Sequence, residues 1–140
     1  MLGVGPPGYS RPFRRLVTLK LLAQLFVLLV AVEHLWILVL EMFLFTKPIG
    51  RRTFRVSETQ AKAAAPAMAN QGLYNGFLAA GLVWSLFAPD PLGFQLKLFF
   101  LGCVVVAGVF GAATVGRTIL WVQGLPAAVA LALVLVTRGG

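Results

Sequence analysis

Apolar residues run almost unbroken through four stretches of this chain, at about residues 21–45, 67–87, 96–115 and 118–136. A bilayer core of about 30 Å takes about 20 apolar helical residues to cross, and each stretch meets that length. The pattern predicts an all-α fold, an integral membrane four-helix bundle. Residues 1–15 read as a basic, Gly/Pro-rich tail, unstructured over 1–12, and residues 16–140 as a single four-span domain. The first apolar run is too long for the core of a secretory signal, typically about 7–15 residues, and no small-x-small cleavage site ends it. It therefore reads as a retained span. The longest connection, 46–66, contains "SETQAKAAA", a short helix that Ser57 can cap, with Gln60 closing a capping box. Pro66 should kink or interrupt that helix before the second span. "APDPLG" after the second span is a loop signature.

Small residues punctuate the spans at helical spacing. Gly72 and Gly76 are four apart in the second, as are Gly108 and Ala112 in the third. Such spacing lets helix backbones approach closely, which drives association where lipid removes the hydrophobic force. It indicates packing and carries no chemistry.

The polar interruptions are more informative. "AVEHLWILVLEMFLF", residues 31–45, places Glu33, His34 and Glu41 inside the first span, and His34 is the only histidine in the chain. Adjacent spans run antiparallel, and the rise of 1.5 Å per residue converts position into depth. Glu41 comes about 6 Å inside the end of its span, and Glu33 and His34 about 17 Å. In the second span Asn70 and Gln71 lie about 5 Å in, and Tyr74 and Asn75 about 11 Å. Gln123 lies about 8 Å into the fourth, near Pro126, which frees a backbone carbonyl there. Three helices thus offer polar groups in the same half of the bilayer. At about 100° per residue His34 and Glu41 are nearly eclipsed, while Asn70, Gln71, Tyr74 and Asn75 make a broad polar face.

Composition agrees with the spans. The chain has 140 residues, 59% hydrophobic and only 11% charged, with a mean hydropathy of +0.90. Soluble domains carry roughly 25% charged residues. The net charge of +8 sits mostly at span ends, where it suits the phosphates of membrane lipids and gives no argument for nucleic acid. Basic residues divide evenly between the two sides of the membrane, so the positive-inside rule leaves the orientation undecided. Cys103 stands alone, which excludes an internal disulfide.

What could the polar set do? A carboxyl in an apolar bundle can hold a proton near neutral pH, and a neighbouring histidine can act as its complementary acid or base. Glu33 and His34 are the candidate catalytic pair, with Glu41, Asn70, Gln71, Tyr74, Asn75 and Gln123 as substrate-orienting groups. That suits isomerisation, hydration or ring opening on a lipophilic small molecule. One histidine and two carboxylates could hold Fe, Mn or Zn, but without a second histidine or a cysteine pair no metal or other cofactor is expected. Two alternatives stay open: a non-catalytic carrier or accessory subunit for a small solute or lipid, with a homo-oligomer supplying the path, and a structural membrane protein. On the structural reading, Glu41 pairs with Arg51 or Arg52, His34 donates to a carbonyl, and the amides bridge helices.

"EHLWILVLEMFLF", "TKPIGRRTF", "NQGLYNGFLAAGL", "GVFGAATV" and "QGLPA", in that order over roughly residues 20 to 136, carry a resemblance. The chain resembles the small integral membrane proteins of the domain of unknown function 1304 family. The resemblance implies a compact four-span membrane protein and brings no established reaction. The basic N-terminal extension departs from the family pattern.

Overall fold

A computed structural model describes residues 11–138. The described chain is all-helical, with five α-helices and no strand. Helix α1, Arg11–Val39, opens inside the stretch read as a tail; residues 1–10, the rest of that stretch, lie outside the described residues. α1 continues into a π-helical turn, Leu40–Leu44. The short α2, Pro48–Phe54, starts on a proline, whose missing N–H would have no helical partner at that position. It ends at Arg55 in the left-handed region, φ 55°.

Helix α3, Glu58–Phe87, begins with the expected capping box: Gln60 N donates to Ser57 Oγ at 3.2 Å, and Ser57 N donates to Gln60 Oε1 at 2.9 Å. Of the two outcomes expected at Pro66, interruption does not occur: α3 runs through it as one helix. The hydrogen bond that Pro66 cannot make would end on Lys62, which is exposed. The orphaned carbonyl is thus on an open face, where other groups can solvate it. After a loop, α4 spans Leu92–Thr114, opened by Asp90, whose Oδ1 accepts from Phe94 N at 3.0 Å. A second π turn, Leu120–Gly124, leads directly into α5, Leu125–Val136.

The long helices pack in a ring, α1 on α3, α3 on α4, α4 on α5 and α5 back on α1. Their shared core is small and apolar: Ala23, Val27, Val30 and Ala31 from α1, Leu82 from α3, Leu101 and Val104 from α4, and Ala127, Ala130 and Val134 from α5. Small residues set the spacing. A Cβ on Gly108 would lie 2.8 Å from Gly124 Cα, so α4 and the second π turn meet backbone to backbone. Gly81 in turn makes room for the ring of Phe100.

Two helices are long and apolar enough to cross a membrane, residues Pro12–Leu44 and Leu92–Thr114, while Leu120–Val136 is apolar but shorter. α3 is not among them; Asn70, Gln71 and Asn75 interrupt its apolar run. The outer surface of the helices is apolar as well. Leu25, Phe43, Phe77, Phe99, Val106 and Phe110 all face outward, as do Trp36, Trp84 and Trp121.

Candidate functional site

The seam between α1 and α3 is built around two glycines. A Cβ on Gly72 would meet Met42 Cγ at 2.6 Å and Glu41 Cβ at 3.1 Å, and one on Gly76 would meet Leu38 Cδ1 at 2.6 Å. Lacking side chains, these positions let the helices close, and one turn beyond Gly72 the side chain of Asn75 reaches α1. Asn75 Nδ2 donates to Glu41 Oε2 at 2.8 Å, and also to its own helix at Gln71 O, 3.2 Å. Both partners are buried. Both acceptors require the nitrogen, which fixes the orientation of the amide.

Glu41 lies in the first π turn, and Gln123 in the second. A π turn adds one residue to a helical turn and re-aims the side chains beyond it; such turns recur at functional sites. Gln123 is half-buried beside Gly124, which is pressed against Gly108.

His34 is buried one helical turn beyond Val30, and its Nδ1 lies 2.8 Å from Val30 O. A carbonyl only accepts, so Nδ1 carries the hydrogen and Nε2 of the neutral ring is left as an acceptor. Glu33 is half-buried, and its Oε1 is enclosed without any hydrogen-bond partner. Among the described residues one other buried side-chain atom is in that condition, Arg51 Nε. Arg51, however, is engaged through Nη1, which donates to Glu58 Oε2 at 3.1 Å. Glu33 is thus the one acid in the helices whose buried oxygen nothing in the fold satisfies.

The remaining members are placed differently. Asn70, Gln71 and Tyr74 are exposed on the outer side of α3, Tyr74 at 55% of its free surface, with its ring edge-on to Phe77. The structure brings Glu41 and Asn75 together and leaves Asn70, Gln71 and Tyr74 outside that contact. Glu41 pairs with Asn75 rather than with Arg51, which holds Glu58 across the α2–α3 connection. Lys62 Nζ joins that ion pair at 2.7 Å from Glu58 Oε1. Lys62 and Arg51 hold the Glu58 carboxyl below its ordinary range. Among the described residues Glu33, His34 and Glu41 do not gather into a three-ligand metal set.

Sequence reasoning passed over the other end of the ring. Lys97, counted only as a charge at a span end, is buried and donates from Nζ to Ser85 O at 2.8 Å. The signal was available: a lysine inside the apolar run "FQLKLFF" must find an acceptor or water.

Comparison with known proteins places the chain in a family. A family model described as "Protein of unknown function (DUF1304)" matches residues 28–135. The "Uncharacterized protein YpaA" of Lactococcus lactis subsp. lactis (strain IL1403) is 30% identical over 106 residues, covering 74% of this chain and 88% of that protein. No solved structure matches. The matched region runs from within α1 to the end of α5 and takes in Glu33, His34, Glu41, Asn75 and Gln123. With residues 28–135 inside that match, this chain belongs to the DUF1304 family of proteins of unknown function.

Proposed function

We propose that the protein is a multi-pass, four-helix bundle of the cell membrane that performs acid–base chemistry on a lipophilic substrate. Glu33 and His34 are its proton-transfer pair. The observation that carries this reading is Glu33 Oε1, enclosed in the fold without a hydrogen-bond partner. A carboxylate near mid-membrane costs roughly 2.5–3.5 kcal/mol even on the lenient insertion scale, so a fold that keeps one unpaired points to a use for it. The membrane placement is supported by helices that are apolar on their outer as well as their inner faces.

The chemistry follows from hydrogen-bond capacity. Glu33 in its neutral form donates a proton to a substrate oxygen. Nε2 of His34, with Nδ1 held on Val30, takes a proton from a substrate carbon or from a water adding to it. The imidazolium then returns its proton to the Glu33 carboxylate through product or solvent, restoring both groups. Consecutive helix residues point about 100° apart, so the two groups flank a substrate lying across α1 and do not bond each other. Glu41 and Asn75 hold α1 against α3 two turns along from that position.

A second reading, a carrier or accessory subunit, is favoured by the exposed Asn70, Gln71 and Tyr74. Amides facing lipid are costly, and a second copy of the chain would cover them. The enzyme reading is tested by reconstituting the protein with a lipid extract in D2O and following the lipids by mass spectrometry. Deuterium uptake by a lipid species with wild type, absent with Glu33→Gln and with His34→Gln, is the expected result. Identical lipid profiles for all three proteins would overturn it.

A further inference from the structure

At the end of the ring away from Glu41 lies a cavity of about 310 Å³. α1 contributes Lys20, the α3–α4 loop Asp90, α4 Phe94 and Lys97, and the end of α5 Thr137 and Arg138. Among the described residues three cations and one carboxylate line these walls.

Lys97 and Arg138 are each held in place by a contact that leaves capacity for a ligand. Lys97 is only 7% exposed, yet its ammonium makes one hydrogen bond within the fold, to Ser85 O at 2.8 Å. Two of its three N–H groups are left for a ligand in the cavity. The Arg138 guanidinium stacks on the Phe94 ring, 4.9 Å from the ring centroid, which orients the planar group without using its N–H donors. Asp90 is partly committed elsewhere, since its Oδ1 accepts from Phe94 N at 3.0 Å and closes the first turn of α4. Thr137 has spent its hydroxyl hydrogen on Leu133 O at 2.8 Å and adds no donor. Among the described residues Lys97 and Arg138 therefore offer cationic N–H donors to a ligand in the cavity. That composition fits a compact anion with several oxygens.

We propose that this cavity, with Lys20 in its wall, binds a phosphate group through Lys97 and Arg138, and that in the membrane the phosphate belongs to an anionic phospholipid headgroup. The lipid source rests on the membrane placement above and not on the acid–base reading. It follows from depth: Lys97 lies about 8 Å inside the start of α4, so the mouth of the cavity sits at headgroup level. Lys97 enters from α4 and Arg138 from the last turn of the described chain, so one anion ties the two together.

The test is native mass spectrometry of the full chain in dodecyl maltoside, titrated with phosphatidylglycerol and separately with inorganic phosphate. Wild type is expected to retain one phosphatidylglycerol, with binding weakened roughly fivefold by Lys97→Gln and again by Arg138→Gln. Arg52→Gln, exposed at the opposite end, should leave that titration unchanged. If Lys97→Gln fails to fold, Arg138→Gln carries the test, because its side chain is exposed. Displacement of the lipid by millimolar inorganic phosphate keeps the phosphate site but rejects the headgroup as its particular occupant. Binding of neither probe, or equal binding by wild type and both cavity variants, overturns the proposal.

Discussion

Two glutamates eight residues apart on one helix meet opposite fates. Around Glu41 everything is arranged: a π turn aims the side chain, Gly72 brings α3 within reach, and Asn75 donates to the carboxyl at 2.8 Å. Around Glu33 nothing is, and one oxygen is enclosed with no partner. The same residue type in the same helix thus sits in two unlike environments. Where a buried acid is answered by an amide from a neighbouring helix, it acts as a clamp, and its loss should loosen the fold. An acid left unanswered burdens the fold, and its loss should be tolerated.

The sharpest way to break this contrast is to force the seam apart. Gly72→Leu places a side chain where Met42 Cγ and the Glu41 Cβ already stand, and overpacking of this kind costs about 3 kcal/mol. Thermal unfolding in lipid nanodiscs should fall well below wild type. A variant as stable as wild type would mean that the α1–α3 contact is not the organising one. Glu41→Ala comes next. It leaves one N–H of the buried Asn75 amide without its acceptor, only Gln71 O remaining, for a loss of about 2 kcal/mol. Glu41→Gln should recover part of that loss, since a carbonyl oxygen can still accept from Asn75.

Smaller effects in the α2–α3 connection calibrate the comparison, because they must leave the seam alone. Arg55 holds a left-handed φ of 55° at the end of α2, where a side chain costs about 1 kcal/mol relative to glycine. Arg55→Gly is expected to raise the unfolding temperature slightly without altering the response to Glu41→Ala. The smallest effect is one of pH. Lys62 and Arg51 lower the Glu58 carboxyl from its ordinary 4.5, so its contribution is full above that value and is lost as pH falls through the lowered one. Hydrogen exchange in α2 should quicken on such acidification while exchange at Asn75 stays unchanged. Faster exchange at Asn75 alone would place the acid-sensitive contact in the seam instead.

How much of this was legible beforehand depends on whether a contact is local. The Ser57 capping box was readable because all its atoms lie within four residues, and the small-residue spacing at Gly72 and Gly76 pointed to a close seam. Depth counting also placed Glu41 and Asn75 in one half of the bundle. It has no azimuth, however. At about 100° per residue Asn70 and Tyr74 lie about 200° from Gly72, on the far side of α3 from the seam, and the structure places them outside. The glycine face could have supplied that angle. The π turns had no sequence signal beyond Pro126, whose missing N–H follows the second of them closely. α3 runs on past Pro66 because the carbonyl it orphans, that of Lys62, is on an exposed face. Lys97 was missed because it was counted as a span-end charge, when its neighbours on either side are apolar.

The central claim is that Glu33 is retained for use and Glu41 for stability. The most direct measurement is the unfolding temperature in lipid nanodiscs of wild type, Glu33→Gln and Glu41→Ala under one set of conditions. Glu33→Gln is expected to melt at or above wild type, because function-serving groups are commonly held at a cost to stability, and Glu41→Ala to melt clearly below it. If Glu33→Gln melts as low as Glu41→Ala, Glu33 is a second clamp and the acid–base reading falls with it.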